Sequence, residues 1–162
     1  MVRVAAQKMD YFDLEREATF DGRVRMDGLT GETLSRRAVV FLTAAAKDGQ
    51  GAANGSALPG VGVTSGSVDH IVFTGEVQLE QPGRHANGEM LVYTAATGRY
   101  VLTGTPGHLP KAVDAQQGNV TGVTLTFGDS GSTIIVAGEP ATSKGKGTRV
   151  RTETEVRPEG KK

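Results

Sequence analysis

The sequence of 162 residues contains no cysteine and no tryptophan, and it has only five phenylalanines and three tyrosines. Without cysteine there can be no disulfide framework and no thiolate metal site, and with so few aromatic residues any core must be mostly aliphatic. Neither charge is in excess, since 18 lysines and arginines balance 18 aspartates and glutamates. This balance excludes a global electrostatic field that would recruit nucleic acid or an anionic membrane to the whole domain.

The sequence also lacks an apolar run long enough for a transmembrane helix, which needs about 20 residues. Its first residues, Met1 to Val4, enter a strand-like pattern at once and contain no signal-peptide core. The chain is therefore either cytosolic or a fragment of a longer protein. We favour the fragment, because a repeat that begins without a capping element usually has a neighbour upstream.

Glycine, by contrast, is abundant at 23 residues, and it recurs at one position of a repeat. In three places an aromatic residue is followed eleven residues later by a glycine, namely Tyr11 and Gly22, Tyr93 and Gly104, and Phe127 and Gly138. A fourth, stretched copy runs from Val39 and Phe41 to Ile71, Phe73 and Gly75. Apolar residues within each half-unit lie two apart, which is strand spacing, with a turn between the halves. The pattern predicts an all-β fold built from similar hairpins.

The length of the sequence and the positions of its turn residues predict one domain over residues 1–157 and a disordered tail over 158–162. Residues 27–34 are expected to form a connection, and residues 47–67, rich in Gly, Ala and Ser, a flexible insertion. Residues 148–156 alternate with a fully charged outward face, which is typical of an edge strand protected against unwanted pairing.

Motifs that would indicate catalysis or metal binding do not hold up against simpler interpretations. Gly128 to Gly131 matches the nucleophile loop of trypsin-like proteases for four residues, but Ser130 lies in a repeat turn with no histidine motif to activate it. The three histidines, His70, His85 and His108, are too scattered for a ligand set. We therefore predict no catalytic residue, no metal site and no cofactor.

The remaining candidate is the apolar face that the hairpins share, which we call the inner face. Its predicted residues are Phe20, Val24, Met26, Phe41, Ile71, Phe73, Val77, Leu79, Leu91, Tyr93, Leu102, Leu125, Phe127, Ile134 and Val136. Composition leaves two interpretations open. The face is either the ordinary core of two packed layers or a partly open groove for acyl chains.

A resemblance favours the groove. The segment Arg84-x-Ala86-x-Gly88-Glu89-x-Leu91-x-Tyr93, continued by Thr97-Gly98-Arg99-x-Val101-Leu102-Thr103-Gly104-x-Pro106, resembles the OstA-like domain of the LptA family of lipopolysaccharide-transport proteins. The likeness spans roughly residues 5–140 and weakens outside the 84–106 block. The sequence departs from the family's pattern in the 47–67 insertion and in the absence of an export signal, so the chain would be a fragment or mature form.

The resemblance implies a twisted, incompletely closed antiparallel β-jellyroll in the periplasm. It implies a non-enzymatic module that binds lipopolysaccharide, with the inner face as the liner for its lipid A acyl chains, and passes it along a bridge to the outer membrane. The implied partners are lipopolysaccharide and other transport components, or further copies of the chain joined by end-to-end strand pairing. The rival interpretation is a closed structural β-sandwich or solenoid that scaffolds an assembly and holds no lipid, and an enzyme that depends on Ser130 comes third.

Overall fold

The structure is a computed structural model that describes residues 3–28, 31–43, 67–128 and 134–138, together with the backbone of 151–153. These residues form twelve strands, and none of them lies in a helix that could cross a membrane. In chain order the strands are β1 (Arg3–Ala5), β2 (Lys8–Phe12), β3 (Glu17–Gly28), β4 (Gly31–Leu42), β5 (Val68–Gln81), β6 (Arg84–Thr94), β7 (Arg99–Thr103), β8 (Lys111–Asp114), β9 (Gly118–Thr121), β10 (Thr124–Phe127), β11 (Ile135–Ala137) and β12 (Arg151–Glu153).

All strand pairs are antiparallel and belong to one sheet, whose main path runs β1-β3-β4-β5-β6-β7-β10-β11. Several short strands share a long neighbour. β1 and β2 both pair with β3, and β7 and β8 both pair with β6. Further along the sheet, β10 pairs with β7 and β9 pairs with β8. The short strands β1 and β2 therefore act together as one long strand that is broken near its middle, and so do β7 and β8, and β9 and β10.

The breaks coincide with β-bulges that bend the long strands at the same level. In β3 the residues Gly22 and Arg23 have φ of 80° and 49°, and in β5 the residues Gly75 and Glu76 have φ of 81° and 50°. The register of β5 on β6 shifts at this point, so that Gly75 and Glu76 face the single residue Glu89. Glycine adopts a left-handed conformation without steric cost, and a bulge increases the local bend of its strand. The repeated glycine thus folds one sheet into two layers.

We call these the first layer and the second layer. The first layer contains β2, β7, β10 and β11 with the adjoining halves of β3 to β6. The second layer contains β1, β8, β9 and β12 with the other halves. Inward-pointing side chains of both layers form one hydrophobic cluster, as expected for sheets that pack about 10 Å apart.

Two edges of the sheet are open within the described residues. On one side β1 and β2 pair only with β3, and on the other β11 pairs only with β10 and β12 only with β9. The first and last strands do not meet, so the bent sheet is not a barrel. The predicted fold class is confirmed: the chain is an incompletely closed, antiparallel β-jellyroll made of repeated hairpins.

The structure corrects the predicted boundaries in two places. The connection expected over residues 27–34 is much shorter, because β3 runs to Gly28 and β4 begins at Gly31. The sequence pattern also did not identify β8, whose four residues complete the partner strand of β6. The predicted edge strand over 148–156 contains β12 at its centre. The insertion predicted over 47–67, apart from Ser67, and the tail over 158–162 lie outside the described residues.

Candidate functional site

The predicted inner face, with one exception, points into the space between the two layers. The buried members are Phe20, Val24, Met26, Ile71, Phe73, Val77, Leu79, Leu91, Tyr93, Leu102, Leu125, Phe127 and Ile134. Val136 packs against them from the edge strand β11 and is partly exposed. Two-residue spacing on either side of each bulge was enough to find these side chains, because the bulges of β3 and β5 keep their inward residues in phase.

Phe41 is the exception, because the structure places it on the outer face. Its cross-strand neighbours are Glu17 and His70, and its ring stacks on the His70 imidazole with 4.2 Å between centroids. The inward residues of β4 are instead Ala38 and Val40, both fully buried. β4 has two consecutive outward residues, Arg36 and Arg37, where it passes the bend. The repeat had aligned Val39 and Phe41 with the inward residues of the other copies, and this alignment is wrong by one residue.

Cross-strand pairing arranges the first layer's inward side chains into two rows. The aromatic row consists of Val40, Ile71, Tyr93, Tyr100 and Phe127. The leucine row lies next to it, nearer the bend, and consists of Phe73, Leu91, Leu102, Leu125 and Val136. In the aromatic row the ring centroids of Tyr93 and Tyr100 are 4.7 Å apart, and those of Tyr100 and Phe127 are 5.7 Å apart. Such contacts add to the stabilisation from burial alone.

Sequence reasoning missed several inward residues, most of them small. They are Ala38, Val40, Ala86, Tyr100, Ala112 and Val120. An alanine gives little hydropathy signal, so its position on a buried face emerges only from its strand partners. Ala86 and Ala112, for example, pair with each other and continue a row that begins at Leu79.

One polar cluster interrupts the apolar interior, and it also was not predicted. The Arg84 guanidinium donates from Nε and Nη2 to Asp114 Oδ2, at 2.9 and 2.8 Å, and the two side chains are only 3% and 9% exposed. Arg84 belongs to the second layer, yet its guanidinium carbon lies 5.0 Å from the ring centroid of Phe127 in the first layer. We call Arg84, Asp114 and Phe127 the clasp, because together they join the two layers.

Asp114 is held in the clasp by the turn that follows it. Its Oδ1 accepts hydrogen bonds from the amides of Gln116 and Gln117, at 2.8 and 3.0 Å. Burial alone would raise the pKa of Asp114, but these amide hydrogen bonds and the Arg84 guanidinium outweigh it and lower the pKa below its ordinary value of 3.8. The carboxylate is therefore charged at neutral pH, and the clasp is a fully formed ion pair.

The apolar interior reaches solvent at the open edges. Val4 and Tyr11 face inward from β1 and β2 and are half-buried, and Met9 between them is 41% exposed. Val136 occupies the corresponding position at the other edge. Away from the edges the interior is closely filled, since Leu91, Leu102 and Leu125 have no exposed surface. A hydrocarbon chain could enter such an interior by parting the two layers from an open edge.

The described residues bring no alternative chemistry together. No three histidine, aspartate or glutamate side chains in these ranges are grouped as metal ligands. His70 contacts Asp69, His85 contacts Glu80, and His108 lies in a separate loop. Ser130 lies outside the described residues.

Comparison with known proteins finds similarity at the level of structure. No family model matches the sequence, and no curated protein matches it by sequence. The chain is similar to a crystal structure of LptH from Pseudomonas aeruginosa, described as the LptA-homologous periplasmic component of the conserved lipopolysaccharide transport device. The TM-score is 0.67 at 14% sequence identity, over 98% of this chain and 96% of that chain. The chain therefore has an LptA-like fold along almost its whole length.

Proposed function

We propose that this protein is a non-enzymatic module that binds lipopolysaccharide through its lipid A acyl chains and passes it across the periplasm toward the outer membrane. The observation that supports this most directly is an apolar interior that runs between two open sheet edges in an LptA-like fold. The similar structure is a periplasmic component of a lipopolysaccharide transport device. A closed barrel would offer no lateral access to such an interior.

The acyl chains would lie between the leucine row and the facing side chains of the second layer. Each buried methylene contributes about 0.8 kcal/mol, so a chain of roughly a dozen carbons could gain on the order of 10 kcal/mol as an upper limit. Part of this gain offsets the loss of contacts between the layers when they separate. A transfer module benefits from that compensation, because a site that bound lipid without it would hold the lipid too firmly to release it.

The open edges would also join the module to its partners. An exposed edge strand can pair with a strand of another subunit, which extends the sheet across the interface. The β1–β2 edge and the β11–β12 edge lie on opposite sides of the sheet. Copies of this chain, or other transport components, would therefore assemble end to end and align their interiors.

A second function deserves a test because the interior is closely filled. The complete burial of Leu91, Leu102 and Leu125 is what a structural β-sandwich without lipid would also show. In that case the protein would act as a scaffold that only extends an assembly through its edges.

Photo-crosslinking distinguishes the two functions. A photoreactive phenylalanine analogue replaces Phe73 in the leucine row or Met9 at the open edge, and purified protein is mixed with lipopolysaccharide. The matched control places the same analogue at Val113, an apolar residue that is 53% exposed on the outer face. We expect adducts from positions 73 and 9 and none from 113. A folded protein that forms no adduct at 73 or 9 would instead be a scaffold.

The third possibility is tested by Ser130→Ala. We expect the substitution to leave lipopolysaccharide crosslinking unchanged, since no side chain that could activate the hydroxyl accompanies it in the sequence. A hydrolytic activity of the wild-type protein that the substitution removes would contradict the non-enzymatic assignment.

A further inference from the structure

A cleft of about 790 Å³ lies on the outside of the molecule at the bend of the sheet. Its floor is the outer side of β5 and β6, and its wall is the loop between β7 and β8. The volume falls within the range of about 300–1,000 Å³ that small-molecule sites occupy. This cleft is separate from the apolar interior, and the proposed function does not use it.

The wall of the cleft is preformed. Thr105 and His108 exchange two backbone hydrogen bonds, at 3.1 and 2.9 Å, which close the turn at its tip. The loop is anchored at its other end by Pro110, which is fully buried and whose carbonyl accepts a hydrogen bond from Thr121 Oγ1 at 2.8 Å. A ligand would therefore meet a shaped surface and would not have to order the loop on binding.

The cleft is rich in polar side chains that have no partner within the described part of the chain. These side chains are Gln78, Asn87, Glu89, Thr105, His108 and Lys111. Elsewhere on the outer faces, charged side chains commonly pair with each other, as Arg37 does with Asp21 and Arg25 with Glu32. Within the lining itself, Glu76 is paired with Arg36. The cleft thus concentrates hydrogen-bonding capacity that the fold leaves unused.

The chemistry of the lining selects one class of ligand. Of the two carboxylates in the lining, Glu76 is paired with Arg36 and Glu89 is balanced by the Lys111 ammonium, so the cleft has no net preference for an anion or a cation. Amide, hydroxyl and imidazole groups offer both donors and acceptors, which matches hydroxyl groups that also donate and accept. Leu109, which is partly exposed in the loop, adds a small apolar surface, against which the C–H face of a sugar ring can pack.

We propose that this cleft binds a saccharide, and that in the proposed function, on which this inference rests, it holds the oligosaccharide part of lipopolysaccharide. The acyl chains would lie inside the bent sheet while the saccharide rests outside it at the bend. The protein would then recognise both chemically different parts of one molecule.

The test measures binding of the lipid-free core oligosaccharide of lipopolysaccharide by NMR titration of the whole chain. We expect shifts in the amide signals of Gly107 and His108 and in the side-chain amide of Asn87. The variants Asn87→Ala and His108→Ala should each weaken binding at least fivefold. Asn119→Ala, on the outer face of β9 away from the cleft, is the matched control and should not. No binding, or equal binding by all variants, would overturn the proposal.

A second probe separates failure of this inference from failure of the proposed function. Lipid A without attached sugars should crosslink at Phe73 equally in the wild-type protein and in Asn87→Ala. If lipid A crosslinks but the oligosaccharide does not bind, the saccharide site is refuted and the lipid-transfer function stands. If the oligosaccharide binds in the cleft but lipid A does not crosslink, the saccharide site is supported and the lipid function is refuted.

Discussion

The two sides of the interior are built differently. On the side of β3 and β4 large inward residues such as Phe20 and Met26 are interspersed with small or polar ones, among them Ala18, Ala38, Thr33 and Ser35. On the side of β6, β7 and β10 they are the leucine and aromatic rows, closed by the clasp. Larger side chains bury more apolar area and so stabilise the packing more. From this comparison we expect the β6–β10 side to contribute more than the β1–β4 side to holding the layers together.

The largest difference in stability should appear when a charge is introduced separately on each side of the interior. Leu102→Asp puts an unpaired carboxylate where no surface is exposed, and we expect it to remove most of the stability of a domain whose total is about 5–15 kcal/mol. Met9→Asp, at a site that is 41% exposed, should leave the far-ultraviolet circular dichroism unchanged and reduce lipopolysaccharide binding. Equal loss of structure in both variants would contradict the difference between the sides.

Removing one partner of the clasp should have the next largest effect. Arg84→Met leaves Asp114 buried with its charge unpaired, which costs about 3–5 kcal/mol of unfolding free energy. The double variant Arg84→Met/Asp114→Asn keeps an acceptor for the Gln116 and Gln117 amides and should recover most of that loss. Urea denaturation measures both. If the double variant is no more stable than the single one, an uncompensated charge is not the cause.

Truncation of apolar side chains measures how much each side contributes to the free energy of unfolding. Leu125→Ala, in the leucine row, should cost about 2–5 kcal/mol through lost burial and a residual cavity. Val40→Ala, which is equally buried and lies on β4 at the end of the aromatic row, should cost about 1–2 kcal/mol, since it removes two methyl groups of about 0.8 kcal/mol each. A larger loss at Val40 in urea titration would reverse the assignment of the stronger side.

The decline of stability in acid should report the clasp. Because the pKa of Asp114 is lowered in the folded protein, its contribution is complete above the unfolded value of 3.8 and is lost as the pH falls through the folded pKa. Thermal unfolding followed in acid should therefore show a smaller decline for Asp114→Asn than for the wild-type protein. Parallel declines would mean that other carboxylates dominate acid unfolding.

The smallest effect is expected for an ion pair on the outer face of β3 and β4. Arg37 Nε lies 3.6 Å from Asp21 Oδ1, and the side chains are 53% and 41% exposed. Exposed pairs contribute about 0–1 kcal/mol and are screened by salt, so Arg37→Ala should change the unfolding free energy within that range. A salt-independent loss as large as that of Arg84→Met would show that outer and buried pairs do not differ as argued.

Much of the fold could be predicted from the sequence, because its strongest signals are local. Apolar residues two apart identified β3, β5 and β6, and the repeated glycines marked the level of the bend. The bend itself could not be predicted, since left-handed φ at Arg23 and Glu76 leaves no mark in residue type. Phe41 was placed on the wrong side because Val39 and Phe41 were aligned with the inward residues of the other repeats, whereas β4 turns Ala38 and Val40 inward.

The candidate site likewise contains residues that local sequence predicts and residues that only the tertiary fold brings together. Large apolar residues such as Leu91 and Leu125 are usually buried, so residue type alone identified most of the inner face. Arg84 and Asp114 are thirty residues apart, and both are residue types that usually lie on the surface. Only the tertiary fold brings them together beside Phe127, and no local pattern distinguishes them from solvated charges. The polar cleft was missed for that reason as well, since its residues come from three separated segments.

An open sheet has a consequence for size. A closed barrel fixes its circumference through its strand number and stagger, so an added strand must change the radius. In the described part of this chain the first and last strands do not pair, and each hairpin pairs mainly with its neighbours. Duplication of one hairpin would therefore lengthen the molecule while its cross-section stays the same, and such a chain could grow or shorten to match the distance it has to span.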